Sequence, residues 1–180
     1  MRRTIKVHTL LMLMLSLIAG SMVSCKSHKK AKAPESIYVG EQIEAVKAKG
    51  KKGKVRDKIA EEALTWIGTG YGYGHHEKGK STDCSGLVVT IYEEIAEIKL
   101  PRNSAEQADF CDKIKEKEIE PGDLVFFATG KDKKKVSHVG VMIDCCRFVH
   151  ASGSKGVILS EMTTPYYRRT FIKYGRVPGL

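Results

Sequence analysis

The sequence contains no Cys-x-x-Cys pair, no internal repeat and no apolar run long enough to make a comfortable membrane span. The first absence removes support for a zinc ribbon or a thioredoxin-type redox site. The five cysteines, at 25, 84, 111, 145 and 146, are spaced in no small-domain disulfide framework, and a core of this length needs no staples. Cys145 and Cys146 read as neighbours on a strand, with side chains on opposite faces, and so as packing residues rather than a bridge. The two long basic runs, residues 26–32 and 47–58, lack aromatic residues. Stacking on bases needs such residues, so nucleic acid is not expected as a partner.

What is present begins with length and charge. A chain of 180 residues suggests one domain with a tail. Lys and Arg number 31 against 21 Asp and Glu, a formal charge of +10. That excess fits an anionic membrane surface, an anionic polymer or simply a solvated basic tail.

The N-terminus is more specific. Arg2, Arg3 and Lys6 form a positive region, residues 9–19 are apolar, and small residues follow up to Cys25. This is the pattern of a secretory signal. Its end resembles a bacterial lipobox, in which Cys25 takes the lipid. The departures are Met22, where Leu is usual, and Ser24, where Gly or Ala is usual. The expected organisation is a lipoprotein-type signal peptide over residues 1–24, a lipid-anchored basic tether over 25–54 and a catalytic domain over 55–180. The rival is an ordinary signal peptide with a soluble product.

Within the domain, Val55, Ile59, Ala63, Leu64, Trp66 and Ile67 fall on one helical stripe, and Gly68-Thr69-Gly70 stops it. A Gly-rich polar loop follows. Leu87, Val88, Ile91, Tyr92 and Ile95 then recur at three- and four-residue steps, predicting a second helix that Asp83 or Ser81 caps. Leu100-Pro101-Arg102 is extended, and Asn103 or Ser104 caps a third helix. Residues 113–120 are charged and exposed. From Pro121 the period changes to that of strands, over 124–127, 136–143, 147–151, 157–160 and 170–177. Helices followed by an antiparallel meander predict an α+β fold with N-terminal helices packed on a five- to six-stranded sheet.

The second helix carries the chemistry. Cys84 falls at its N-terminus, where unpaired N–H groups and the helix dipole favour an anion and lower a thiol pKa. Against this stands the ordinary role of a free cysteine as a small buried hydrophobe. A turn over 144–146 pairs two strands as a hairpin and sets His138 and His150 roughly opposite each other. A thiol, an imidazole base and a second polar group that orients the base are the parts of nucleophilic catalysis on an acyl carbon.

Tyr71 in its Gly-rich turn, Asp83-Cys84-Ser85-Gly86-Leu87-Val88, Leu100-Pro101-Arg102 with Gln107, Pro121-Gly122-Asp123 with the strand after it, Ser137-His138-Val139-Gly140-Val141 and His150-Ala151-Ser152 follow in order. Together they resemble the NlpC-type cell-wall peptidases, papain-like cysteine peptidases of bacterial peptidoglycan, over about residues 55–177. The resemblance implies Cys84 as nucleophile, His138 as base and His150 as the orienting third member. It implies Tyr71 at the oxyanion or substrate site, with the Cys84 N–H as a second oxyanion donor, and Asp83 and Ser85 as the contacts for the substrate's free amine in members that need one. Arg102 is a candidate for structural or carboxylate contacts. The implied reaction is hydrolysis of the γ-D-glutamyl–diamino acid amide in stem peptides, with no cofactor or metal, by a monomer in the cell envelope. The loop departs from the family pattern: Gly70 precedes Tyr71 where Pro is common, and His75 replaces a second Gly. Other readings are another papain-like amidase or an acyltransferase, a metal site built from Cys84, His138 and His150, and a non-catalytic wall-binding lipoprotein.

Overall fold

The computed structural model describes residues 55–180. The expected signal peptide, Cys25 and the tether lie outside the described residues. Among the described residues no helix is long and apolar enough to cross a membrane.

Three helices come first: α1 (Val55–Thr65), α2 (Cys84–Ala96) and α3 (Ser104–Phe110). Between α1 and α2 the Gly-rich loop forms three two-residue strands, β1 (Gly70–Tyr71), β2 (His76–Glu77) and β3 (Ser81–Thr82), in the order β1-β3-β2. The main sheet is built from β4 (Asp112–Ile114), β5 (Leu124–Phe127), β6 (His138–Met142), β7 (Arg147–Ser152), β8 (Gly156–Glu161) and β9 (Phe171–Arg176). Its order is β4-β9-β5-β6-β7-β8, with every neighbouring pair antiparallel. A short α4 (Pro165–Thr170) joins β8 to β9. This is the expected α+β arrangement with six strands.

Alternation along the strands makes two cores. Leu124, Phe126, Val139, Val141, Val149 and Ala151 face α1 and α2, meeting Ile59, Leu64, Trp66, Leu87 and Ile91. Val125, Phe127, Met142, Phe148 and Tyr174 face the other way and are covered by Ile114, Ile119, Met162, Tyr167 and Phe171. Each fully buried Leu, Ile or Phe contributes about 1.5–3 kcal/mol. The helical stripe of α2 therefore anchors the helix to the sheet and fixes where its N-terminus lies.

Two interactions lock the frame. Buried Asp123 accepts from the guanidinium groups of Arg56 (3.1 Å) and Arg176 (2.8 Å from both Nε and Nη2) and from the Glu120 amide (2.7 Å). Tyr92 on α2 donates its hydroxyl to the Gly122 carbonyl. Gly122 has φ +84°, and a Cβ there would stand 2.8 Å from the Arg56 carbonyl oxygen, so only glycine fits this turn.

Three differences from the sequence reading have physical causes. The charged stretch 113–120 holds the edge strand β4, which bonds to β9 through its backbone while its side chains stay largely in solvent. Helix α4 starts at Pro165, placed at the first helical turn where the missing N–H costs nothing. Cys145 and Cys146 are not packing residues on a strand: they lie in the turn between β6 and β7, and both are exposed.

Candidate active site

Asp83 caps α2. Its backbone is extended (φ −96°, ψ 176°), and its Oδ1 accepts from the Gly86 amide at 2.7 Å. Cys84 is therefore the first helical residue, as the sequence predicts. The loop before it is pressed against the helix: the Asp83 amide bonds the His75 carbonyl at 3.0 Å. A Cβ on Gly86 would lie 2.5 Å from that same carbonyl oxygen.

The pKa of Cys84 runs opposite to the helix-dipole expectation. Burial pushes the thiol above its ordinary value, and the Asp83 carboxylate adds to this. The Val139, Ser85 and Cys84 amides pull it back without reversing the direction. Desolvation of the thiolate outweighs the orphan N–H groups at this helix start. Cys84 packs against the core that includes Val139, the residue directly after His138 at the start of β6.

The two histidines form a linked pair, His138 Nε2 to His150 Nδ1 at 2.8 Å, with ring planes at 85°. They are not directly opposite. The register Val141–Val149 and Met142–Phe148 sets Gly140 across from His150 and places His138 two residues further along the same face. Gly140 makes the diagonal contact feasible, because a Cβ there would stand 2.6 Å from Phe148 Cδ2 and 3.2 Å from His150 Cβ. His150 Nε2 meets Ser160 Oγ at 3.0 Å and the Tyr167 hydroxyl at 2.9 Å. Burial lowers His138 to about 4. Burial, then the neighbouring His138, lowers His150 to about 3. Both are neutral at pH 7. Nε2 of His138 faces His150, which leaves Nδ1 as its unengaged ring nitrogen, and both nitrogens of His150 are engaged. The tautomers set which atom donates at each contact: a neutral His138 with its hydrogen on Nε2 donates to His150 Nδ1, and His150 Nε2–H then donates to the hydroxyls.

Tyr71 pairs with Thr82 across β1 and β3 and is 41% exposed. Burial first, then the charges of Cys84 and Asp83, raise its pKa. Its hydroxyl is therefore neutral at pH 7. Ser85 and Arg102 belong to the Asp83 network. Arg102 grips both carboxylate oxygens at 2.9 Å and donates to Ser85 Oγ at 2.9 Å. Ser85 Oγ donates to Oδ1 at 3.2 Å, and the Gly74 amide donates to Oδ2 at 2.7 Å. Burial opposes ionisation of Asp83, but Arg102 and the Gly86 and Gly74 amides more than offset it and hold the carboxyl below its ordinary range. Buried Gln107 pins the segment that carries Arg102, donating to the Pro101 and Ser85 carbonyls at 2.8 and 3.2 Å.

The structure thus gathers Cys84 with Tyr71, Asp83, Ser85 and Arg102 at one end of α2, and His138 with His150 at the adjoining start of β6. Cys25 lies outside the described residues. No motif in the sequence marks Ser160 or Tyr167 as partners of His150, and Tyr167 comes from a helix the strand pattern hides. An aromatic hydroxyl close after the histidine hairpin is the only sequence signal pointing to it.

Residues 68–176 match the NlpC/P60 family. The probable endopeptidase NlpC of Escherichia coli K12 is 32% identical over 163 residues, covering 91% of this chain and 97% of that protein. The murein DD-endopeptidase MepS/murein LD-carboxypeptidase of the same strain is 31% identical over 169 residues, covering 89% and 88%. Among solved structures, a Staphylococcus aureus Mu50 protein described as similar to a lipoprotein of the NLP/P60 family aligns with a TM-score of 0.60 and 33% identity, over 68% of this chain and 41% of that one. The papain-like α+β fold, the order of the motifs and a match running from the end of the first helix to the last strand lead to one conclusion: the chain belongs to the NlpC/P60 family.

Proposed function

We propose that this chain is a cysteine peptidase that hydrolyses amide bonds in peptidoglycan stem peptides, with Cys84 as nucleophile, His138 as base and His150 as the group that orients the base. The observation that carries the reading is the linked pair His138–His150 at the start of β6, next to Val139 of the core against which Cys84 packs. A binding protein has no use for a thiol and, one strand away, two linked imidazoles of which the second is itself held by two hydroxyls.

Thiol and imidazole are neutral at rest. As Cys84 Sγ attacks the carbonyl carbon, its proton passes to His138 Nδ1, and the oxyanion is met by the Cys84 N–H and the Tyr71 hydroxyl. His138 then returns the proton to the leaving amine. Water, deprotonated by the same nitrogen, hydrolyses the thioester. His150 keeps His138 in the tautomer this sequence needs.

The bond we assign is the γ-D-glutamyl–diamino acid amide, on the strength of the motif resemblance. The E. coli relative named for DD-endopeptidase and LD-carboxypeptidase activity makes the bond the first thing to test. Asp83 bears on the substrate's other end. Both its oxygens are taken by five donors and its charge faces Arg102, so it acts first as a cap and positioning residue. On this reading Asp83 makes no demand for a free amine, and a stem still joined to glycan is the expected substrate as much as a free one. The test is mass spectrometry of muropeptides digested by the full chain. Product pairs split after γ-D-glutamate, from glycan-linked as well as free stems, support the assignment; cleavage confined to another amide overturns it.

The envelope setting is part of the same proposal. We assign residues 1–24 to a lipoprotein signal, Cys25 to lipidation and 25–54 to a tether holding a monomeric domain, residues 55–180, at a membrane facing the wall. The support is the lipobox-like sequence and the wall substrate. Cys25→Ser should move the protein to the soluble fraction; continued membrane retention contradicts lipidation there.

A further inference from the structure

The turn between β6 and β7 sets two thiols side by side. Asp144 Oδ1 accepts from the Cys146 and Arg147 amides, each at 2.9 Å, and Oδ2 takes the Arg147 guanidinium at 2.7 and 2.5 Å. The Met162 amide ties the turn to the end of β8 through the Cys146 carbonyl at 2.8 Å. Held this way, the Cys145 and Cys146 sulfurs lie 3.0 Å apart, and both residues are exposed. A disulfide bond is about 2.05 Å long, so roughly one ångström of sulfur movement separates this contact from a bond. The remaining thiols of the domain are worse targets for a reagent in solution. Cys84 is partly buried, and Cys111 is buried and pushed up to about 12.

We propose that Cys145 and Cys146 form a vicinal dithiol that low-molecular-weight disulfides oxidise to an intra-turn disulfide, a modification site separate from Cys84. It does not depend on the peptidase reading. The two thiols share one S–H···S contact, in which either sulfur can donate. Either can attack first. Its thiolate displaces one thiol from the reagent RSSR and leaves a mixed disulfide. The neighbouring thiol then gives up its proton, attacks the protein-bound sulfur of that mixed disulfide and expels the second thiol. Two thiols and one RSSR become one protein disulfide and two RSH, and two electrons pass to the reagent. Neighbouring Cα atoms are about 3.8 Å apart, below the usual disulfide range, so a small thiol should reopen the ring readily. β6 alone separates His138 from Met142 by about 13 Å at strand rise, and the dithiol lies beyond Met142.

The test incubates the full chain with glutathione disulfide and analyses tryptic peptides by mass spectrometry. Residues 136–147 form one such peptide and hold both cysteines and no other. The wild-type peptide should lose two hydrogens and carry no glutathione. In Cys145→Ser and in Cys146→Ser the remaining thiol should keep one glutathione, because its resolving partner is gone. A wild-type peptide that carries one or two glutathiones, stays unmodified or links to a second chain overturns the proposal.

Discussion

The resting charge state of the site can be tested by titration. Burial holds the Cys84 thiol above 9.0 and takes His138 down to about 4. Moving the thiol proton to the imidazole crosses at least five pH units, about 7 kcal/mol. Attraction between a thiolate and an imidazolium about 4 Å apart offsets roughly 4 kcal/mol at an effective dielectric of 20. About 3 kcal/mol remains against the ion pair, which leaves it below about one molecule in a hundred. The assay is thiolate ultraviolet absorbance against pH, taken as wild type minus Cys84→Ser. The difference should show its step above pH 9, with no step between pH 4 and 8. A step below pH 7 that disappears in Cys84→Ser would refute the reasoning and establish a resting ion pair.

The buried histidines make the fold acid-sensitive. Their folded pKa values lie below the unfolded 6.5, so the unfolded state binds more protons at lower pH. Stability is full above about 6.5 and falls as pH drops through 4 toward 3. His138 alone accounts for up to about 3 kcal/mol; a urea midpoint that stays flat from pH 7 to 4 contradicts this. Tyr167→Phe leaves Ser160 to hold His150 and should lower kcat/KM less than about tenfold. Adding Ser160→Ala orphans a buried N–H at a cost of about 1–3 kcal/mol, so the double variant should lose roughly ten- to a hundredfold, and a double variant no worse than the single removes the relay. Arg102→Ala frees the Asp83 carboxylate for a cationic partner. KM should then improve selectively for stems with a free amine, and an equal change for free and glycan-linked stems argues against the neutralised-cap reading.

Much of this molecule is written in local pattern. The stripe of Leu87, Val88, Ile91 and Tyr92 sets α2 and, with Asp83, puts Cys84 at its start. The apolar runs give β5 to β8 with edges shifted by a residue or two. What pattern misses depends on partners distant in sequence. β4 looks like a solvated charged loop because an edge strand pairs through its backbone. The turn over 144–146 is legible in the sequence, and it is this turn, held by Asp144, that rules out Cys145 and Cys146 as packing residues of a strand. The offset of His138 from His150, and the need for Gly140 between them, follow from register. The hydroxyls of Ser160 and Tyr167 reach His150 from β8 and α4, which are brought together only by the sheet order. The direction of the Cys84 shift is not legible for a related reason: the helix start is visible in sequence, while the burial that outweighs it is a tertiary fact.

The claim that Cys84 is the nucleophile has a direct measurement. The full chain is mixed with peptidoglycan fragments, quenched in acid and digested with trypsin, and the peptide of residues 81–99, whose sole cysteine is Cys84, is weighed by mass spectrometry. A stem fragment ending in an acyl group, attached to that peptide through a thioester, is the predicted result. Turnover that continues in Cys84→Ala, or an acyl adduct found on any other peptide, would contradict it.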